Sequence, residues 1–515
     1  MRGAIAAGSE ATATAGAEIL QDGGNAVDAA VAACFAVAAG EPTLTSLAGG
    51  GIMLRRSGSS GDVEICDFFA NAPGLGGQRP ATLDFRPIEL DFGPARQLFQ
   101  VGAGSAAVPG TLPGLCTAHE RWGTLPLSRV IEPACRMLRE GVVLGSWQAR
   151  AVALLTPILL STEAGRRQFG PEGRIMGQGD RYRLPQLADT LEQLARGPWR
   201  EFYREELERR MLRQFGVEAG GLLSEQDLAT YQVELRQPLR GRYRGSSIAT
   251  NPPPAVGGQM VILMLSMLES AELGKMAHGG RDHLHALCRA MALADEARAG
   301  EDLTSPAPWL ARFQARQGRP IWPGPDETGG PSSTTHVSVI DAQGDAAAVT
   351  FSYGEGNGML IEGTGIMMNN LMGEEDLFPD GFHSWPPGVR LSTMMSPTLL
   401  VSSEGDVTAL GTGGANRIRT ALTQVVSNLV DHRLSVEQAV RTPRLHYEAG
   451  VLNLEVFDEQ GPLRAETARG LGAREVVVFD EPNLFFGGVH LVRRRSDGTL
   501  EGAGDLRRGG VCRVA

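Results

Sequence analysis

A threonine at the head of a strand, behind a small polar loop, can serve as nucleophile and base at once. In Pro331-Ser332-Ser333-Thr334-Thr335-His336-Val337-Ser338-Val339-Ile340 the residue so placed is Thr334. If the chain is cut before it, Thr334 gains an α-amine with an unperturbed pKa of about 7.7–8.0, near enough to neutrality to take the proton of its own hydroxyl. Nucleophile and general base then belong to one residue. Asp341-Ala342-Gln343-Gly344-Asp345 reads as a turn into Ala346-Ala347-Ala348-Val349-Thr350-Phe351-Ser352, so the two runs form a hairpin. With the turn centred near Gln343, Thr334 and Ser352 face each other, two hydroxyls about 5 Å apart at Cβ on one sheet face. Thr-Thr-His alone also fits an ordinary strand threonine, so the remaining chain decides.

An attacking nucleophile needs donors for the oxyanion. Thr408-Ala409-Leu410-Gly411-Thr412-Gly413-Gly414-Ala415 reads as a strand turning into a helix over about 416–430. Main-chain N–H groups at that helix start are exposed where an oxyanion can sit.

The elements that must position these residues begin at the N-terminus. Ser9 caps a helix through Ala11, Ile19 and Leu20 that ends at Gly23-Gly24, and Asn25 caps a second with Asp28 at its third position. The second helix is lined with small residues and can lie close on a sheet. Gly49-Gly50-Gly51 feeds a buried strand, with 63–69 as its antiparallel neighbour; no Gly-Lys-Ser/Thr follows, so this is not a phosphate loop. From 108 to about 273 the pattern is mostly helical, with a break at 122–126, a helix start at Ser224 and a rigid turn at Asn251-Pro252-Pro253-Pro254. Residues 283–298 are helical. The span 300–330 carries five prolines and little apolar periodicity, so it reads as exposed, mobile and suited to a cut. Segments 365–370 and 391–401 border strands, and the last strands include 476–479 and 488–492.

Composition bounds the partners. The chain of 515 residues is 42% hydrophobic and 21% charged, and 59 acids against 48 bases give a net charge of −11. That balance argues against nucleic acid or an anionic membrane and favours a small-molecule substrate. No signal peptide is read at the N-terminus and the longest apolar run, 29–39, is too short for a bilayer, so the cytoplasm is the expected location. Cys34, Cys66, Cys116, Cys135, Cys288 and Cys512 are scattered without metal-like spacing, so buried free thiols are expected, and neither a metal nor a cofactor.

Taken together, Ile19-Leu20-Gln21-Asp22-Gly23-Gly24-Asn25-Ala26-Val27-Asp28-Ala29-Ala30, Asn251-Pro252-Pro253-Pro254, Thr334-Thr335-His336 and Gly504-Asp505-Leu506-Arg507 resemble a γ-glutamyltranspeptidase of the N-terminal-nucleophile hydrolase superfamily, across nearly the whole chain. The resemblance implies an α+β fold, a four-layer αββα sandwich with two stacked antiparallel sheets. It implies self-cleavage between Ser333 and Thr334 into a large subunit, 1–333, and a small one, 334–515, that stay together in one body; a homodimer of that heterodimer is left open. It makes Thr334 the nucleophile, Ser352 the supporting hydroxyl in place of a family threonine, and Gly414 and Ala415 the oxyanion pair.

Departures from the family fall on substrate contacts. Phe69, in Asp67-Phe68-Phe69, stands where the family has an arginine for the substrate α-carboxylate, and an aromatic ring cannot pair with a carboxylate. The family's paired serines fall on Thr393 and Met394, its asparagine on Gly354, and its glutamine and aspartate on Leu371 and Glu374, of which Glu374 alone keeps an acidic group for a substrate amine. The leading expectation is a self-processing γ-glutamyltranspeptidase-like hydrolase acting on a γ-glutamyl or related acyl amide through an acyl-enzyme on Thr334. Two alternatives stand beside it: an acylase or C–C bond hydrolase with a non-glutamyl substrate, and an uncleaved relative without enzymatic activity.

Overall fold

Period-two alternation assigns the central hairpin to two layers. In the computed structural model, which describes residues 2–91, 96–300, 303, 305–315, 333–378, 381–457 and 463–515, Thr335–Asp341 pairs with Ala346–Ser352 from Thr335 opposite Phe351 to Ile340 opposite Ala346. Val337, Val339, Ala347, Val349 and Phe351 pack against helices, whereas Ile340, Ala346 and Ala348 meet the other sheet.

The hairpin is the middle of a seven-stranded sheet in the order Val511–Val514, Gly3–Ala7, Thr335–Asp341, Ala346–Ser352, Gly50–Arg56, Val63–Phe68 and Glu234–Arg236. Behind it lies a six-stranded sheet, Leu500–Ala503, His490–Arg494, Val407–Gly411, Thr398–Val401, Ser246–Thr250 and Leu239–Tyr243. Both are antiparallel throughout. Helices Glu10–Gln21, Ala26–Gly40 and Thr111–Trp122 cover the first sheet, and Gly257–Glu269, Arg281–Gly300 and Arg417–Val430 cover the second. This is the expected αββα order.

Capping fixes where the first two helices begin. Ser9 Oγ accepts the Thr12 N–H at 3.1 Å, and Asn25 with Asp28 closes a reciprocal capping box. Asp28 also accepts the Thr124 hydroxyl at 2.6 Å, which ties the 122–126 break to the first layer. Five cysteines are buried, Cys512 is partly so, and all six are free thiols. Among the described residues no helix is long and apolar enough to cross a membrane.

Several expectations are corrected. The span 108–273 is mostly helical as expected, but Leu239–Tyr243 and Ser246–Thr250 within it form one edge of the second sheet. Arg240, Gly241 and Arg242 hid that strand; arginines suit an edge that must repel further pairing. Arg86–Asp91 and Arg96–Val101 make a further small hairpin. Within 300–330, Pro306–Ala315 is a helix with Phe313 buried beneath the Arg289 guanidinium, 3.8 Å from the ring centroid; 316–332 lie outside the described residues. Residues 365–370 form isolated bridges, Leu360 with Met367 and Ala48 with Met368, and no strand. The Glu475–Phe479 strand belongs to a separate three-stranded sheet.

Candidate active site

Thr334 sits one residue before its strand, and the register carries on to place it opposite Ser352. Ser352 in turn pairs with Gly50, and Gly51 with Phe68. A row therefore runs Thr334, Ser352, Gly50, Phe69 across four strands at about 4.8 Å per step. The glycine run is what lets these backbones meet: a Cβ on Gly50 would lie 3.0 Å from Phe69 Cα, and one on Gly49 would collide with the Ser352 carbonyl oxygen.

Ser333 and Thr334 are both buried, 7% and 3% exposed, which departs from the expectation of a cut in an exposed stretch. The Ser352 hydroxyl donates to the Ser333 carbonyl oxygen, the carbonyl of the expected cut, and accepts the Gly354 N–H at 3.1 Å. Ser352→Ala removes that donor, so we expect self-cleavage and turnover to slow by about 1–3 kcal/mol of barrier, roughly 5- to 150-fold, with the fold retained. Unchanged cleavage kinetics on a denaturing gel would separate Ser352 from the chemistry.

Gly413, Gly414 and Ala415 close the site from the second sheet. A Cβ on Gly413 would strike the Thr334 carbonyl oxygen, and Gly414 takes φ +120. Ala415 sits at φ +46, a left-handed conformation that costs a non-glycine residue about 1–2 kcal/mol. The backbone thus holds the angles a glycine would have supplied. Their carbonyls receive the Arg417 and Ile418 N–H groups at 2.9 and 3.0 Å, starting the helix; among the described residues nothing accepts the Gly414 or Ala415 N–H groups.

Three residues here were not singled out from the sequence. Arg508 Nη1 donates to the Thr334 carbonyl at 2.8 Å. Glu355 accepts the Ser333 N–H at 2.6 Å and the Ser333 hydroxyl. On the other face Glu41 accepts the Thr335 hydroxyl at 2.5 Å and that of Thr12 at 2.7 Å. The available signals were a carboxylate between Gly354 and Gly356, and an arginine next to the Gly504–Arg507 motif.

The expected substrate contacts divide into two groups. Phe69 and Leu371 lie in one apolar cluster with Met372, Phe378, Leu391 and Met395. Gly354, at φ +73, has no room for a side chain, because Asn370 Oδ1 and Glu374 Oε1 fill the space a Cβ would need. Glu374 is thereby brought against the Thr334–Ser352 end of the sheet. Thr393 and Met394 are not drawn into this group. The Thr393 hydroxyl accepts the Met395 N–H at 3.2 Å and its carbonyl the Val256 N–H at 2.9 Å, while the Met394 side chain packs into the helical core behind the second sheet.

Charges concentrate around Thr334. Burial raises the Glu355 carboxyl to about 7 and Asp376 to about 6, and lowers Arg417 and Arg508 to about 10. Burial, then the neighbouring Glu355 and Asp376, push Glu374 well above the carboxylate range, and its Oε1 has no hydrogen-bond partner. Arg390 is committed elsewhere: it donates to Phe69 O, to Tyr231 Oη at 2.9 Å and to Gln232 O at 2.6 Å. Arg417 stacks 4.8 Å from the Phe485 centroid and donates to its carbonyl at 3.2 Å.

Away from this site, His278, His283 and His432 bring their ring nitrogens within 4.8 Å of one another. Asn428 Nδ2 donates to Ala439 O, so Asn428 Oδ1 accepts from His278 Nε2 at 2.8 Å. Gly279 N–H donates to His283 Nδ1 at 3.1 Å, leaving His283 Nε2–H to donate to His432 Nε2 at 3.3 Å. Both His283 nitrogens are thus engaged, one by Gly279 and one by His432, and are not open to a cation in this arrangement.

Comparison with known proteins adds three findings. The family model described as gamma-glutamyltranspeptidase matches residues 12–515. An acylase ACY 1 proenzyme of a Pseudomonas species is 34% identical over 99% of this chain and 93% of its own length, and a glutathione hydrolase proenzyme of Escherichia coli is 30% identical over 97% and 89%. Among solved structures, a cephalosporin acylase from Bacillus halodurans superposes with a TM-score of 0.83 at 23% identity, covering 99% of this chain and 95% of the other, which speaks to the fold.

Proposed function

Because this chain belongs to the γ-glutamyltranspeptidase family, we propose that it is a self-processing hydrolase in which Thr334 attacks an acyl amide, preferring donors without an α-carboxylate. Thr334 is freed by the cut after Ser333. Its amine takes the hydroxyl proton, its oxygen adds to the substrate carbonyl, and the oxyanion is received by the Gly414 and Ala415 N–H groups. The Thr334 α-ammonium returns that proton to the substrate's amide nitrogen, which departs as the amine product, and water releases the acid from the Thr334 ester.

The two products, 1–333 and 334–515, hold together through the sheet itself. Gly3–Ala7, from the first piece, lies between Thr335–Asp341 and Val511–Val514 of the second. A cut therefore leaves the hydrogen-bonded ladders in place.

The observation that carries the substrate reading is the apolar cluster around Phe69 and Leu371. A γ-glutamyl head group brings a carboxylate that must be paired when desolvated, and unpaired burial costs several kcal/mol. Arg390 is held by Phe69 O, Tyr231 and Gln232 O, while Glu374 offers an acidic group to a substrate amine. The test compares kcat/KM of matured protein on glutathione with that on a matched amide lacking the α-carboxylate. We expect the latter to be better by about tenfold or more. A clear preference for glutathione would refute the reading and point to Arg417 as the carboxylate partner. Two bands on a denaturing gel, matching 1–333 and 334–515, distinguish this enzyme from an uncleaved, non-enzymatic relative.

A further inference from the structure

The residue before the cut is gripped on every polar atom. Ser333 N–H donates to Glu355 Oε1 at 2.6 Å and its hydroxyl to Glu355 Oε2, while its carbonyl accepts from the Ser352 hydroxyl. On the far side of the scissile bond the Thr334 carbonyl is held by Arg508 at 2.8 Å. Glu355 is itself anchored, since its N–H donates to Asn370 Oδ1 at 2.8 Å and Asn370 Nδ2 donates to Gln100 O at 3.2 Å. Gly354 and Gly356, at φ +73 and +79, make the bend that turns Glu355 back towards the end of the hairpin. The Glu355 carboxyl is 1% exposed and so costly to place, a cost eased by the nearby Arg508 and Arg417 charges, and Ser333 engages it with both side chain and main chain.

We propose that Glu355 is a positioning residue for self-cleavage, fixing Ser333 so that its carbonyl carbon stays within reach of the Thr334 hydroxyl. The inference rests on the self-processing reading above. In the step it serves, the Thr334 Oγ–C bond to Ser333 forms, the Ser333–Thr334 C–N bond breaks, and the hydroxyl proton ends on the Thr334 nitrogen. Water then cleaves the ester, giving the Ser333 carboxyl and restoring the Thr334 hydroxyl. Glu355 takes no proton in this scheme. As carboxylate it accepts both hydrogen bonds; as carboxylic acid it accepts the N–H and donates to Ser333 Oγ, so the grip survives titration of a group that burial raises to about 7.

The experiment follows conversion of full-length precursor to two chains over pH 5.5–8.5, with circular dichroism reporting folding. Glu355→Gln keeps one acceptor for the N–H and one donor for Oγ, and we expect it to cleave within about fivefold of wild type with the same pH profile, whereas Glu355→Ala slows cleavage about 100-fold. Adding Ser333→Ala to Glu355→Ala is expected to cost nothing further, because the hydroxyl has already lost its partner. Wild-type cleavage rates in Glu355→Ala, additive effects in the double variant, or a Glu355→Gln as slow as Glu355→Ala would each overturn the proposal, the last by making Glu355 a proton acceptor. Should Glu355→Ala not fold, Glu355→Asp replaces it: cleavage slower than in Glu355→Gln supports positioning, and cleavage faster than in Glu355→Gln overturns it. A wild-type chain that is never cut would instead defeat the self-processing reading itself.

Discussion

Thr334→Ala is expected to remain a single 515-residue chain and to hydrolyse no acyl amide, a loss on the order of 10⁴- to 10⁶-fold. In the proposed mechanism both steps draw on the same hydroxyl: it opens the Ser333–Thr334 bond, and after maturation it carries the acyl group. The surrounding contacts do not compensate, because Ser352 and Arg508 are engaged with the Ser333 and Thr334 carbonyl oxygens. The fold should persist, since Thr334 lies one residue outside its strand and removing the hydroxyl leaves the ladder from Thr335 untouched. Thr334→Ser keeps hydroxyl and amine and should retain both activities at reduced rate. Normal two-chain maturation of Thr334→Ala would sink the mechanism.

Phe69→Arg should invert selectivity. Phe69 is two strands from Ser352 along one row and is packed with Leu371, Met372 and Phe378. A guanidinium there has no carboxylate of its own among those neighbours, so the bound substrate must supply one. A charge-assisted, bidentate pair with a γ-glutamyl α-carboxylate is worth about 1.5–3 kcal/mol. The ratio of kcat/KM for glutathione over the matched amide without the carboxylate should therefore rise roughly 10- to 150-fold. Without substrate the buried charge is unpaired, so the melting temperature should fall by several degrees. No change in the ratio would place Phe69 outside the acyl pocket.

The hairpin register was legible because a five-residue turn fixes its centre, and a strand's period of two then dictates every partner. That arithmetic alone places Thr334 beside Ser352. Helix starts at Ser9, Asn25 and Ser224 were legible for a similar reason, since each cap acts within three residues. Glu355, Arg508 and Glu41 were not, because each reaches Ser333, Thr334 or Thr335 through the path of a loop, and spacing along the chain does not encode that path. Leu239–Tyr243 escaped because an edge strand can carry arginines and a glycine that strand propensity disfavours. Gly354 read as a lost polar contact; in the fold it is the vacancy that Glu374 and Asn370 fill.

The burial of Ser333 and Thr334 also makes a prediction about the molecularity of the proposed maturation. A protease needs the bond itself to enter its cleft, and both residues of the Ser333–Thr334 bond are buried. A cut made within the same folded chain, as proposed, should obey first-order kinetics: dilution should leave the half-time unchanged, and inhibitors of other proteases should have nothing to block. Folding should then set the pace, since Glu355, Ser352 and Arg508 reach Ser333 and Thr334 only in the folded chain. A destabilised variant would be recognised by slow appearance of the small subunit before any loss of catalytic rate in the molecules that do mature.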